Sequence, residues 1–267
     1  MNRKDNDTTR QKTAEILIVG NELLNGTTVD SNSQWLSEEL CRFGVRLERK
    51  TTVRDELGAI SKAFRDCISR KPDWLFSLGG LGPTYDDLTI QSLGIAIGKK
   101  LSLDDNSVAM LKESYNRRSR KLGRTTRRTL SKASLKMAML PEDSTALQNP
   151  VGSAPGVLAR FWPTTIVSLP GVPSEMKAIF DRNLVQMLRA DSQFINAEEW
   201  IKVVGISESR LSAGISRITK KYAPLLYVKS HPMGFENGRL IVHIQIIMTS
   251  RNEETQHSLL SLEKATL

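Results

Sequence analysis

The chain has 267 residues, 39% hydrophobic and 25% charged, which excludes a wholly disordered or fibrous protein and is enough to bury a core without staples. Its 38 Lys and Arg against 29 Asp and Glu leave a net charge of +9, favouring anionic partners (phosphates, nucleic acid, acidic surfaces) without choosing among them. Two cysteines, Cys41 and Cys67, offer neither metal spacing nor a disulfide framework, no run approaches a membrane span, and the start is unlike a signal peptide, so a soluble cytoplasmic protein is expected.

Residues 1–13 are almost devoid of apolar side chains and read as a disordered tail. Ile16 to Val19 is an apolar run ending at Gly20, as a buried strand should. Residues 31–43 place Trp35, Leu36, Leu40 and Phe43 at helical spacing, with Gly44 as the stop. A second strand is expected over 45–53, a helix over 57–69, a third strand over 74–78 and a helix over 88–97 closed by Gly98. Strand and helix alternating at this rhythm predict βαβ units around a parallel sheet, an α/β fold. Residues 156–161 and 164–169 read as strands joined at Trp162-Pro163, and 174–188 as one closing helix with Met176, Ile179, Phe180, Leu184, Met187 and Leu188 inward. This first domain is expected over 14–192. Residues 193–267 predict a small α+β module, with strands at 200–204, 225–229 and 239–248, a helix at 208–221 and a last helix at 252–264.

The chemistry concentrates in loops at strand ends. Residues 78–89 follow a predicted parallel strand and precede a helix, where open α/β sheets bind ligands. Gly79, Gly80 and Gly82 let the backbone approach an anion, and their N–H groups with the helix N-terminus can cradle a phosphate. Thr84 belongs to the same turn. Asp86 and Asp87 beside that cradle are poor anion ligands but suit Mg²⁺, which takes one or two carboxylates plus phosphate oxygens. Read as plain helix chemistry, Asp86 is an N-cap and Asp87 a first-turn acid. Residues 149–156, with Gly152 and Ser153, and residues 169–175, with Gly171 and Glu175, are two further Gly/Pro-rich loops. Three such loops at strand ends would line one rim of a parallel sheet, which tips the balance toward a ligand cleft. Glu22, just after the first strand, is either a hydrogen-bond anchor or another metal-side carboxylate, and Asp30 or Ser31 reads best as a helix cap. Residues 112–136 hold ten Lys and Arg, Lys136 among them, and one acid. A solvated helical face is the first reading, a phosphate-recruiting lid or polyanion strip the alternative. His231, His243 and His257 show no metal-ligand spacing.

In order and spacing the segments 20–26, 30–33, 79–89, 149–156 and 169–176 resemble the CinA-type (competence/damage-inducible) proteins, over roughly residues 14–188. The first domain of that family has the molybdopterin-binding fold shared with the MoaB/Mog and MoeA proteins. The resemblance implies a three-layer domain with a mostly parallel sheet, followed by a small KH-like domain. It also implies a phosphorylated nucleotide or pterin in the glycine-lined cleft, with Asn32 among the ligand-binding residues and Lys136 offsetting charge. A divalent metal, magnesium, is implied on Asp87 with Asp86 nearby, and Asp87 is the acid tied to catalysis. Members of this type are credited with hydrolysing ADP-ribose at its pyrophosphate; a non-catalytic binding module acting with a partner is the alternative. A homodimer is implied. Asn21 stands where the family usually has Thr. The nicotinamide mononucleotide deamidase domain of longer members is not expected, because the 75 residues after the first domain are taken by the small module. That module lacks a GxxG loop, so nucleic-acid clamping of the KH kind is not expected.

Overall fold

The computed structural model describes residues 10–121, 129–223 and 225–251; the side chain of Lys121 is not included. The chain divides into two compact units, one of residues 12–39 and 46–191, the other comprising, among the described residues, 10–11, 40–45 and 192–251.

The larger unit runs β1 (Thr13–Val19), α1 (Asn21–Leu24), α2 (Ser31–Arg42, whose last turn belongs to the other unit), β2 (Arg46–Val53), α3 (Leu57–Ser69), β3 (Trp74–Leu78) and α4 (Thr89–Ile97). It continues with β4 (Leu101–Leu103), α5 (Asp105–Lys121), α6 (Lys132–Lys136), β5 (Met139–Pro141), β6 (Thr145–Leu147), β7 (Gly156–Phe161), β8 (Thr164–Leu169), α7 (Pro173–Asn183) and α8 (Val185–Asp191). Six strands form one sheet in the order β2-β1-β3-β8-β7-β6. The first four are parallel, and β7 and β6 add antiparallel pairs. The expected α/β architecture with a mostly parallel sheet is therefore present.

β1 and β3 are buried along almost their whole length, as strands covered on both faces should be. Leu17, Val19 and Leu75 pack with Ile60, Phe64 and Cys67 of α3 and Leu93 and Ile97 of α4. Alternation turns Trp74, Phe76 and Leu78 to the opposite face. There Trp74 Nε1 donates to Asp191 at the end of α8 (2.8 Å), and Trp35 of α2 meets Phe180 of α7 edge to face at 5.2 Å. The result is three layers.

Two expectations need correction. The polar start reads as a tail through residue 13, but Thr13 already opens β1, and Lys12 bridges Asp73 and Asp191 at 3.5 and 3.4 Å. Side-chain anchoring, which hydropathy does not register, holds that end; residues 1–9 lie outside the described ones. The closing helix is two helices, not one. Asn183 Nδ2 donates to the carbonyls of Ile179 (2.8 Å) and Gln148 (3.0 Å), a local competition that ends α7, and Met187 is only half-buried.

The smaller unit contains β9 (Ile195–Val204), α9 (Glu208–Tyr222), β10 (Leu226–Glu236) and β11 (Arg239–Ser250). Its sheet has the order β10-β11-β9 and is antiparallel throughout. Ile244, Ile246 and Met248 of β11 point to α9 and pack with Ile218. β9 and β10 extend well beyond the predicted strands because the long β11 ladder pairs with both along its length. The register sets His231 opposite His243. The predicted helix over 252–264, and His257, lie outside the described residues.

Candidate functional site

The carboxyl ends of β1, β2, β3 and β8 share one edge of the sheet. Because β7 is antiparallel to β8, with Val157 opposite Ser168, the loop that enters β7 reaches the same edge. A cavity of about 530 Å³ opens there. It is lined by Gly79, Gly80, Gly82, Thr84, Asp86 and Asp87 from the β3 loop, by Gly152 and Ser153 before β7, by Gly171 and Glu175 after β8, and by Glu22 of α1. Asn32 and Asp30 line a smaller neighbouring cavity that shares Glu22, Gly79 and Gly171, and Lys136 lines another that shares Gly80, Gly82 and Asp87.

The β3 loop is shaped by its backbone. Gly79 (φ 96°) and Gly80 (φ 69°) occupy the left-handed region, and a Cβ on Gly79 would stand 2.4 Å from the Val19 carbonyl oxygen. Gly79 N–H donates to Leu169 O (2.9 Å), and Thr89 Oγ1 donates to Gly79 O (2.8 Å), tying the end of β3 to β8 and α4 at this point. Neither acid caps α4: its N-cap is Leu88, with no side-chain bond. Both carboxylates turn back onto Thr84 instead. Asp87 Oδ2 accepts from Thr84 N–H (2.8 Å) and sits 2.6 Å from Thr84 Oγ1, while Asp86 Oδ1 also meets that hydroxyl. The Thr84 bond, with help from the Lys136 charge, holds the Asp86 carboxyl below the usual carboxylate range. Lys136 Nζ donates to the Thr84 carbonyl.

The loop before β7 is organised by one side chain. Asn149, 7% exposed, donates from Nδ2 to Ala154 O and Glu175 Oε2 (both 2.7 Å) and accepts at Oδ1 from the amides of Val151 (3.1 Å) and Gly152 (2.7 Å). That uses its full hydrogen-bonding capacity. Ser114 Oγ donates to Gly152 O (2.6 Å) and lies 3.1 Å from Ser153 Oγ. Of the two residues that read as the helix cap, Asp30 takes the role, accepting from Ser33 N–H (2.9 Å), and Asn32 Nδ2 donates to Gly171 O (2.7 Å), bracing the β8 loop.

Sequence reasoning missed Asp55 and Ser114, and within the basic segment it did not single out Tyr115 or Arg118. Asp55 and Arg118 line the main cavity. Asp55 accepts from the Asn21 amide (2.7 Å); burial, with the nearby charges of Glu22 and Asp86, pushes its carboxyl up. Its place immediately after a strand was a usable signal, the same one that singled out Glu22. Of the basic segment, Arg118 lines the cavity although it is exposed, as Lys112 and Arg120 are, and Arg124, Arg127 and Arg128 lie outside the described residues.

The expected metal meets a partial donor set. Among the described residues no three His, Cys, Asp or Glu side chains group as an ion cage. The Asp86 and Asp87 oxygens, bridged through Thr84, fit an ion that keeps its waters and takes one or two carboxylates beside a ligand phosphate.

A glycine-lined cleft on the carboxyl edge of a mostly parallel sheet defines a nucleotide- or pterin-binding module. Residues 15–190 match the family model described as "Probable molybdopterin binding domain", and the chain belongs to that family. A protein from Caldivirga maquilingensis is 39% identical over 241 residues, 90% of each chain, and one from Aeropyrum pernix is 38% identical over 254 residues, 94% of this chain and 91% of that one. The solved structure of CinA, a protein of unknown function from Thermoplasma acidophilum, matches with a TM-score of 0.59 at 34% identity, over 68% of this chain and 99% of the other. No helix among the described residues is long and apolar enough to cross a membrane.

Proposed function

We propose that the cavity binds a phosphorylated nucleotide or pterin, and that its reaction is metal-dependent hydrolysis of the pyrophosphate in a dinucleotide of the ADP-ribose type. One observation carries the binding half. The amides of Gly80, Gly82, Ser153 and Gly171, on three loops lining one cavity, donate to no other described residue. Unsatisfied amides around a cleft are the backbone's means of receiving phosphoryl oxygens.

Asp87 with Asp86 would hold magnesium, which supplies charge neutralisation at a phosphoryl oxygen and a more acidic water. Thr84 orients both carboxylates. The Asp86 carboxyl, held ionised, keeps negative charge on the cation side of the cleft, and the glycine loops position the phosphates. The smaller unit we read as the KH-like module of CinA-type proteins, on its β-α-β-β order.

The test is a panel of nucleoside monophosphates, diphosphates and ADP-ribose with and without Mg²⁺, read for binding and for cleavage. Asp87→Asn should abolish turnover and leave the unfolding midpoint nearly unchanged, because the amide oxygen still accepts from Thr84 N–H. Equal rates in variant and parent would refute the catalytic role. Metal-independent binding without product would favour the alternative, a non-catalytic module.

A further inference from the structure

The antiparallel register of the smaller unit sorts its three strands into two faces. One carries Leu226, Val228, Ile244, Ile246 and Met248 against α9. On the other, Lys229 and Trp200 flank Gln245 of the middle strand, and in the next row His231 and Lys202 flank His243. Tyr227 stands one row further along β10, opposite Ile247, and Glu236 stands opposite Arg239 at the hairpin end.

Trp200 and Tyr227 are half exposed, at 51% and 50%, so two large rings of this face lie in water. The indole is nevertheless held in place. Trp200 Nε1 donates to Glu198 Oε1 (3.0 Å), and the same oxygen accepts from Gln245 Nε2 (2.7 Å). Gln245 Oε1 lies 3.2 Å from His231 Nε2, and the His231 ring packs on the indole with centroids 5.2 Å apart. These four side chains close a circuit across the middle strand, so the exposed ring is preorganised. The same circuit occupies the Glu198 carboxylate, and Glu236 pairs with Lys202. Lys229 and Arg239 make no ion pair or hydrogen bond with a described residue. The unpaired charge of the face is therefore positive, beside rings fixed in orientation.

We infer that this face binds single-stranded nucleic acid, with unpaired bases stacking on Trp200 and Tyr227 and with phosphates taken by Lys229 and Arg239. A duplex hides its base faces in its own stack and gains nothing from the rings, and an acidic peptide would use the cations alone. All of these residues belong to the smaller unit, so the inference is independent of what the cavity of the larger unit binds.

Fluorescence anisotropy of the full chain with labelled oligouridylate, oligothymidylate and a duplex of equal length, in excess ADP and at two salt concentrations, tests this. The parent should bind single strands more tightly than the duplex, and the better of the two single strands names the preferred sugar. Trp200→Ala should weaken single-strand binding about tenfold, the loss of one stacked base, and Tyr227→Ala by a similar factor. Trp200→Phe, which keeps a ring but not the Glu198 bond, should recover part of the affinity. Lys229→Gln should weaken binding and flatten its salt dependence. Unchanged unfolding midpoints in these exposed-site variants keep the comparison clean. Equal affinity for the duplex, full binding by Trp200→Ala, displacement of the oligonucleotide by added ADP, or no binding by the parent overturns the inference.

Discussion

Two glycine-bearing loops that line the cavity are held in shape by different means. In the β3 loop the shape resides in the main chain: Gly79 and Gly80 adopt positive φ, and the Val19 carbonyl leaves no room for a Cβ on Gly79. In the loop before β7, Gly152 is not in the left-handed region, and the shape comes from Asn149, which binds two amides, a carbonyl and a carboxylate at once. A Cβ on Gly152 would fall 1.9 Å from the Glu175 carboxyl carbon, so that side chain would have to leave Asn149 to make room. A backbone-encoded turn resists any side chain, whereas a turn held by a side chain fails when its hub is removed.

The difference can be tested from its largest consequence down. Gly79→Ala should destabilise by about 3 kcal/mol in urea unfolding, because both the positive φ and the clash with a main-chain oxygen oppose it. Stability within about 0.5 kcal/mol of the parent would show that the β3 loop adapts, which would break the comparison. Asn149→Ala should cost about 2 kcal/mol, the penalty of leaving several polar groups without their partner, and should weaken ligand binding more than an equally destabilising core substitution does. Unchanged binding would mean that the loop keeps its shape without the hub.

The smallest effect concerns the acids beside the β3 loop. Burial raises the Asp55 carboxyl above its ordinary value of 3.8. A raised folded-state pKa adds stability that is complete at low pH and disappears as pH climbs through the folded value. Asp55→Asn keeps an acceptor for the Asn21 amide but cannot ionise. The variant should therefore melt slightly above the parent at pH 7, with the gap closing below about pH 4, and the gap stays small because solvent screens a half-exposed group. A gap that widens toward low pH would reverse the assigned sign.

Much of the larger unit was legible because its strands are covered on both faces and so read as unbroken apolar runs, with Ile16 to Val19 and Trp74 to Leu78 the clearest. The three glycine loops were legible because left-handed turns and close approaches need glycine. Less visible was anything set by contacts between segments distant along the chain. The break after Asn183 depends on the Gln148 carbonyl, and the anchoring of Lys12 depends on Asp73 and Asp191. The pairing of His231 with His243 depends on β10 and β11 register, although their sequence positions suggested no relation. Arg118 was lost among ten basic residues because only its place at the cavity sets it apart.

From the sequence by itself came the alternation of strands and helices, the parallel order it enforces, and the rim on which Gly80, Gly152 and Gly171 meet. These follow from local hydrophobic period and from glycine's missing Cβ, properties that each segment carries with it. Only the tertiary structure decided that Asp86 and Asp87 fold onto Thr84 rather than cap α4, that Asn149 holds the second loop, and that one arginine of the basic run lines the cavity. Those outcomes are settled by which side chain finds which partner across the fold, and that choice is made only when the segments pack.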